Sequence, residues 1–305
     1  MPTGTNDAQY VADTFTIPTS QTQFAIDENG DGTPDNGLGK ILAFLASSGL
    51  NPQTGVDDAI SMGQLILLIQ ETSTDATFQS DSCAGLTMEA GTSATMTAPT
   101  SGETFTVSAT AMPADYTGAI AAGSFTSQSQ LHVTTPIKAT FSLPFITGIA
   151  PITINLTGAT VTVTRDSTGK ISAGQLNGVI TNTDLQGTLI PGFATVLTQK
   201  VQTMEGSATT NMEILSLFDT GGTADPACPT GGEMGKGACK NPDGTCAKAG
   251  DMIISTCEVS TSFIQYVLVP DVQMYQNGKW DPSAANTTPD SLSMGIGFTG
   301  LPAKF

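Results

Sequence analysis

Positive charge is scarce in this chain. Ten lysines and arginines stand against 27 aspartates and glutamates, a formal net charge of -17 over 305 residues. A surface this acidic repels phosphate backbones, which excludes nucleic acid as a partner, and it is repelled by anionic headgroups. Histidine is reduced to one residue, His132. It lies in a strand pattern between Leu131 and Val133, where a structural polar residue is the stronger reading than the base of a hydrolytic site. Aromatics make up 6% of the chain, which argues against a long carbohydrate cleft. No apolar run approaches the ~18 residues that cross a bilayer, so no transmembrane segment is expected. The run Leu65 to Ile69 has the length of a buried strand. Also missing are the Gly-x-Ser-x-Gly elbow, the His-Glu-x-x-His helix, the phosphate loop and the dinucleotide fingerprint. An enzyme is therefore the weaker expectation.

What is present points to an exported β-rich protein. Hydrophobic residues make up 39% and charged residues only 12%, about half the usual charged share. Polarity comes mainly from Thr, Ser, Asn and Gln, which suits β-structure and extracellular surfaces. The opening residues Met1, Pro2, Thr3 and Gly4 carry no basic or apolar run, and the expectation is an export signal already removed.

The most informative stretch runs from Asp27 to Asn36. Oxygen-bearing side chains recur at every second residue: Asp27, Asn29, Asp31, Thr33 and Asp35. Gly32 falls at the sixth position, where a calcium loop makes its sharp turn. A hard cation such as Ca²⁺ takes six to eight oxygens, and this spacing wraps donors around one point. The match lapses at the twelfth position, where a bidentate Glu is expected and Leu38 stands. The competing reading is a solvated Asp/Asn/Gly turn.

Five cysteines are present, Cys83, Cys228, Cys239, Cys246 and Cys257. The last four lie close together with no C-x-x-C pair and no nearby His, so a disulfide-stapled insertion is expected rather than zinc. That implies an oxidising compartment. The three ways of pairing four cysteines stay open, as does the role of Cys83.

In chain order, residues 1–22 are expected as an extended arm and 23–63 as the calcium loop with a helix pair. Residues 64–305 are expected as a β-rich domain with a Cys-rich insertion over 221–249. Leu38, Ile41, Leu42 and Leu45 repeat at helical spacing, and Asn51-Pro52 opens a second helix. That helix carries Asp57 and Asp58, either of which could stand in for the missing twelfth ligand. Ile152, Ile154 and Leu156 alternate on even positions, then Val161 and Val163 on odd ones, with Gly158 between; this phase flip predicts a β-bulge. Leu189 to Val201 reads as an apolar-striped helix, Ser262 to Leu268 as another, and Leu292 to Phe298 as a strong closing strand. Trp280 reads as a loop anchor. The expected fold is mainly β (α+β): an antiparallel sandwich or partly closed barrel with several short helices and an EF-hand-like loop.

A second cation site is suggested by Asp251 to Glu258, read as positions five to twelve of a similar loop. Asp251 is a ligand, Ile253 gives its carbonyl, and Glu258 is the bidentate acid. Asp219 could be the first ligand, with the Cys-rich segment inserted between. The alternative is a strand followed by a helix N-terminus with Glu258 near its cap.

Three blocks look familiar together: Ala25 to Gly39, Ile171 to Ile180, and Leu217-Phe218-Asp219 with Leu268 to Val272 and the closing strand. They resemble a family of predicted secreted proteins, often lipidated, common in myxobacteria and their relatives, over about Val11 to Phe305. In that family the Leu-Phe-Asp segment continues directly as a loop ending in Glu-Val, which supports pairing Asp219 with Glu258. Here about thirty residues stand between them. The resemblance implies calcium, a secreted or outer-surface location on a bacterium, and membrane attachment if the native N-terminus carries a lipid. It implies no reaction. The expectation is a calcium-binding protein with a structural or adhesive role toward a surface polymer or protein partner. The alternatives are an extracellular hydrolase with structural calcium and a carrier of apolar ligands.

Overall fold

In a computed structural model, residues 5–47, 50–82, 84–108, 121–127, 130–133, 137–203, 208–220, 239–262, 268–276, 279–282 and 288–305 are described. The first elements are β1 (Asn6–Thr16), α1 (Gly37–Ser47), α2 (Pro52–Ser61), β2 (Leu67–Ser73), β3 (Ala84–Thr92) and the two-residue β4 (Thr106–Val107). Then come β5 (Ala121–Ser127), β6 (Gln130–Val133), β7 (Ile137–Leu143), β8 (Ile152–Arg165) and β9 (Ile171–Thr181). A helical stretch follows, with α3 (Asn182–Asp184), a π-turn (Leu185–Leu189) and α4 (Ile190–Gln202). Last are α5 (Ala208–Phe218), α6 (Thr256–Thr261), β10 (Tyr275–Gln276), β11 (Lys279–Trp280) and β12 (Ser291–Pro302).

The sheet is antiparallel and strongly curled, a half-barrel rather than a sandwich. Eight strands neighbour each other in chain order: β1, β2, β3, β5, β6, β8, β9 and β12, with β12 returning to β1. The β2–β3 pairing carries the ladder on, and among the described residues the thinnest seams are β3–β5, where Ala84, Gly85 and Leu86 face Gly123, Ala122 and Ala121, and β6–β8, also with three pairs. Curling of this kind buries one face of each strand and leaves little free edge.

The extended conformation expected over residues 1–22 holds from Asn6 to Thr16, but these residues are no arm. They form β1, paired on both edges by β2 and β12. Tyr10, Val11, Ala12 and Phe15 are buried there, so this segment belongs to the core rather than preceding it.

The predicted bulge lies in β8. Its register against β9 shifts between Thr157 and Thr160, and Gly158 has φ +65. One extra residue turns the alternation over, so Ile152, Ile154 and Leu156 are buried before it and Ala159, Val161 and Val163 after it. The bulge also receives Trp280, whose ring lies so close to Gly158 that a Cβ there would fall 2.2 Å from it. Tyr275 meets the same ring edge-on at 5.4 Å. Trp280 is thus a loop anchor.

The helices gather at the end where β8 begins and β12 begins. Helix α4 buries Ile190, Phe193, Ala194, Val196, Leu197 and Val201, with Gly192 against Ile152 and Phe193 5.3 Å from Phe145. Each fully buried large side chain of this kind contributes about 1.5–3 kcal/mol. Helix α2 is capped as expected, with the Asn51 side chain accepting from the Gln53 amide. Helix α6 ends before Ser262, and the helix expected over Ser262 to Leu268 falls on residues 263–267, outside those described.

Candidate metal centre

The loop is built by its own carboxylates. The Asp27 side chain accepts from the amides of Asp31 (2.9 Å) and Gly32 (2.8 Å). The Asn29 oxygen also accepts from Asp31 N (3.0 Å), and Asp31 accepts from Thr33 N (2.7 Å). Gly30 and Gly32 have φ +77 and +90. Nothing lies within 4 Å of a Cβ built on either, so glycine is needed there for the left-handed turn and not for space. The loop closes where the Asp35 amide donates to the Ile26 carbonyl at 2.7 Å, forming an isolated bridge. All five predicted donors, Asp27, Asn29, Asp31, Thr33 and Asp35, thus share one compact turn.

Asn36 fixes this turn to the sheet. Strand β1 leaves β12 at the Thr16–Gly297 pair, so the β12 edge beyond it needs other partners. The Asn36 amide behaves like a peptide group. Its nitrogen donates to the carbonyls of Gly295 (3.0 Å) and Gln23 (2.8 Å). Its oxygen accepts from Gly295 N (3.1 Å) and from Gly39 N (2.9 Å), the latter capping α1. Both donors and both lone pairs are used. Asp271 takes the next amide along, Ser293 N, at 2.7 Å, and accepts from the Ser293 hydroxyl. Phe24 packs flat on the glycine face of β12: a Cβ on Gly295 would sit 2.0 Å from the Phe24 carbonyl oxygen. That oxygen accepts from the side chains of Gln175 and Asn177.

Between the loop and the sheet lies a group of acids that sequence spacing did not reveal. Glu28, the residue after the first ligand position, is mostly buried, and its Oε1 is closed off from solvent without a hydrogen-bond partner. Burial, then the charges of Asp35, Asp271 and Asp27, push its carboxyl up to about 8. Asp35 is pushed up to about 6, by burial and then by Asp271. Burial raises Asp271 as well, against its bonds to Ser293. Asp31, in contrast, is held low by the Thr33 amide. None of these carboxylates forms an ion pair with a described Lys or Arg. Asp271 is 236 residues from Asp35 in sequence, and only the path of β12 brings it here.

Asp57 and Asp58 do not reach the loop. Asp57 accepts from Gln53 and Asp58 from Thr147, beside a surface groove of about 320 Å³ between α2 and the β7–β8 connection.

At the second candidate site the structure joins some of the predicted residues and separates another. Asp219, 4% exposed, follows α5 and accepts from the amides of Gly250 and Met252, each at 2.8 Å. Asp251 lies beside it but is occupied by Asn241, Lys248 N and Ile253 N. Glu258 turns away into a capping box on α6, where its Oε2 accepts from Ser255 N (2.9 Å) and the Ser255 side chain accepts from Glu258 N. The helix-cap alternative thus describes the bonds of Glu258 in this structure. Ile253 lies between Asp251 and a segment bonded to Thr198 of α4.

Among the described residues, no three His, Cys, Asp or Glu side chains converge as metal ligands do. Cys239 and Cys257 form a disulfide with their Cα atoms 5.5 Å apart, tying the insertion to α6. Cys246 is also disulfide-bonded, while Cys83 and Cys228 lie outside the described residues. So does the side chain of His132, whose backbone pairs with Ser124 and Thr162. Among the described residues, no helix is long and apolar enough to cross a membrane. Compared with family models, curated proteins and solved structures, the chain matches none.

Proposed function

We propose that the Asp27–Asp35 loop binds Ca²⁺ and that the protein is a secreted or surface-attached β-rich module with a structural or adhesive role. One observation carries this reading. Glu28, Asp35 and Asp271 are gathered around a closed loop that also holds Asp27 and Asp31, and no described basic side chain pairs with them. Crowded carboxylates in partial burial repel one another, and a divalent ion offsets that repulsion at one stroke. Asp27, Asp31 and Asp35 would supply carboxylate oxygens, Asn29 its amide oxygen and Thr33 its carbonyl. Asn36 would pass the effect to β12. The ion then acts as a fastener for the segment that finishes the edge of the half-barrel. The disulfides favour an oxidising location, and the family resemblance adds the bacterial outer surface and a lipid anchor.

Calorimetric titration of chelator-stripped protein with Ca²⁺ tests this, read beside melting curves. A saturable site and a higher melting temperature are expected. An ion bound only by the folded state at 100 times its dissociation constant adds about 2.7 kcal/mol. Asp31→Asn should abolish that gain. Absence of heat and an unchanged melt at millimolar Ca²⁺ would refute the proposal.

A further inference from the structure

The end of the half-barrel away from the helices is closed by residues 74–82, which follow β2. The neighbouring β8–β9 turn is short and stays at the rim, with Asp166 bonded to Thr168 and Lys170. The 74–82 segment instead folds inward and places Phe78, 7% exposed, in the main core. Phe78 has φ +54, a conformation that a bulky residue holds only under restraint.

Two restraints are local. Asp75 accepts from the amides of Thr77, Gln79 and Ser80. Asp81 accepts from Thr74 N and the Ser73 hydroxyl at the end of β2. A third comes from across the barrel. Arg165, the last residue of β8, donates from Nη2 to the Phe78 carbonyl at 2.5 Å and lies 4.7 Å from the centre of the Phe78 ring. Its Nε is 3.4 Å from Glu71 on β2, and Glu71 is fully buried. Tyr10 of β1 stands beside both charges. Round the ring, β8 and β2 are separated by β6, β5 and β3, an arc that contains the three-pair β3–β5 seam. Arg165 therefore spans the interior and joins the two sides of an arc that holds both three-pair seams.

We propose that residues 74–82 are a movable cap and that Arg165 is its latch. When the Arg165 contacts break, the segment swings outward about the ends of β2 and β3, Phe78 leaves the core, and the strands stay paired. The bonds made by Asp75 travel with the segment, whereas those that join Asp81 to Ser73 and Thr74, and Asn6 to Thr74, sit at its base, where the swing begins. The planar guanidinium suits this task, because one side chain can meet a carbonyl, a ring face and a carboxylate together.

Chymotrypsin provides the test, since it cleaves after Phe78 only when the cap is out. Limited digestion of the full chain compares the wild type with Arg165→Met, with fragments identified by mass. Cleavage after Phe78 should accelerate by about tenfold to a hundredfold, the range expected for loss of a charge-assisted hydrogen bond. Cleavage after Phe15 in β1 and Phe298 in β12, which needs global unfolding, should stay slower than cleavage after Phe78 in the variant. An unchanged rate at Phe78, or one common rate at all three sites, would overturn the proposal. If Arg165→Met does not fold, Arg165→Lys takes its place with the same two readings, because it keeps the charge and loses the fork.

Discussion

Two buried glutamates are treated in opposite ways by this fold. Glu71 lies inside the half-barrel with Arg165 3.4 Å away. Glu28 lies between the front loop and the sheet, and its charged neighbours are all acids. Both carboxyls are raised by burial, Glu71 to about 7 and Glu28 to about 8. The difference is that Arg165 pulls Glu71 down, while Asp35, Asp271 and Asp27 push Glu28 further up. A buried carboxylate needs a counter-charge or a proton. The interior site has its cation in the chain. The front site has none among the described residues, and that deficit is the physical case for an external ion.

The comparison breaks most visibly at Arg165. Replacing it with Met leaves Glu71 without its partner, and removing one member of a buried pair costs about 3–5 kcal/mol. Urea melts should show the same loss with Ca²⁺ and with chelator. A loss that Ca²⁺ repairs would mean the two sites are not separate. Glu28→Gln should act in the opposite direction: in chelator at pH 8 it removes an uncompensated charge and should stabilise the protein by about 1–2 kcal/mol, since one pKa unit corresponds to about 1.4 kcal/mol. A destabilised variant would show that Glu28 is already satisfied.

The pH profile sharpens the contrast on the Glu71 side. Its folded value, about 7, lies above the ordinary glutamate value of 4.5. The associated stability is thus complete below pH 4.5 and is lost as pH rises through 7. Glu71→Gln should flatten that part of a melting profile taken between pH 5 and 8, and an unaltered slope would assign it elsewhere. The smallest effect concerns the second candidate site. Ser255→Ala opens the capping box on α6 and should cost about 1 kcal/mol, with no change in the number of Ca²⁺ ions bound by calorimetry. Loss of a bound ion would instead place the Ser255–Glu258 pair in a cation site.

Much of the front loop was legible in the chain because its geometry is local. Asp27, Asn29, Asp31 and Gly32 bond to one another across two to five residues, so spacing alone predicts the turn. The β8 bulge was legible for the same reason, since Gly158 and the switch from Leu156 to Val161 lie within one strand. At Glu258 two local patterns overlap. Ser255-x-x-Glu258 is a capping box, and its last residue also fits the end of a calcium loop. Asp271 and Glu28 were not found at all. Their role depends on which carboxylates end up facing each other across β12, and no window of sequence contains both. The segment taken for an arm failed likewise: the Asn6–Thr16 pattern predicts extension, but not the two strands that claim it.

Sequence by itself determined the periodic elements, the turn that carries alternating oxygens, and the acidic, cysteine-bearing character of the chain, because each depends on neighbours a few residues apart. Tertiary structure alone decided that the sheet curls until β12 meets β1, that Asn36 completes the β12 edge, and that Arg165 balances Glu71 while Glu28 is left among acids. Those outcomes rest on contacts between residues tens to hundreds of positions apart. Burial and charge at such contacts are set by the closed sheet as a whole.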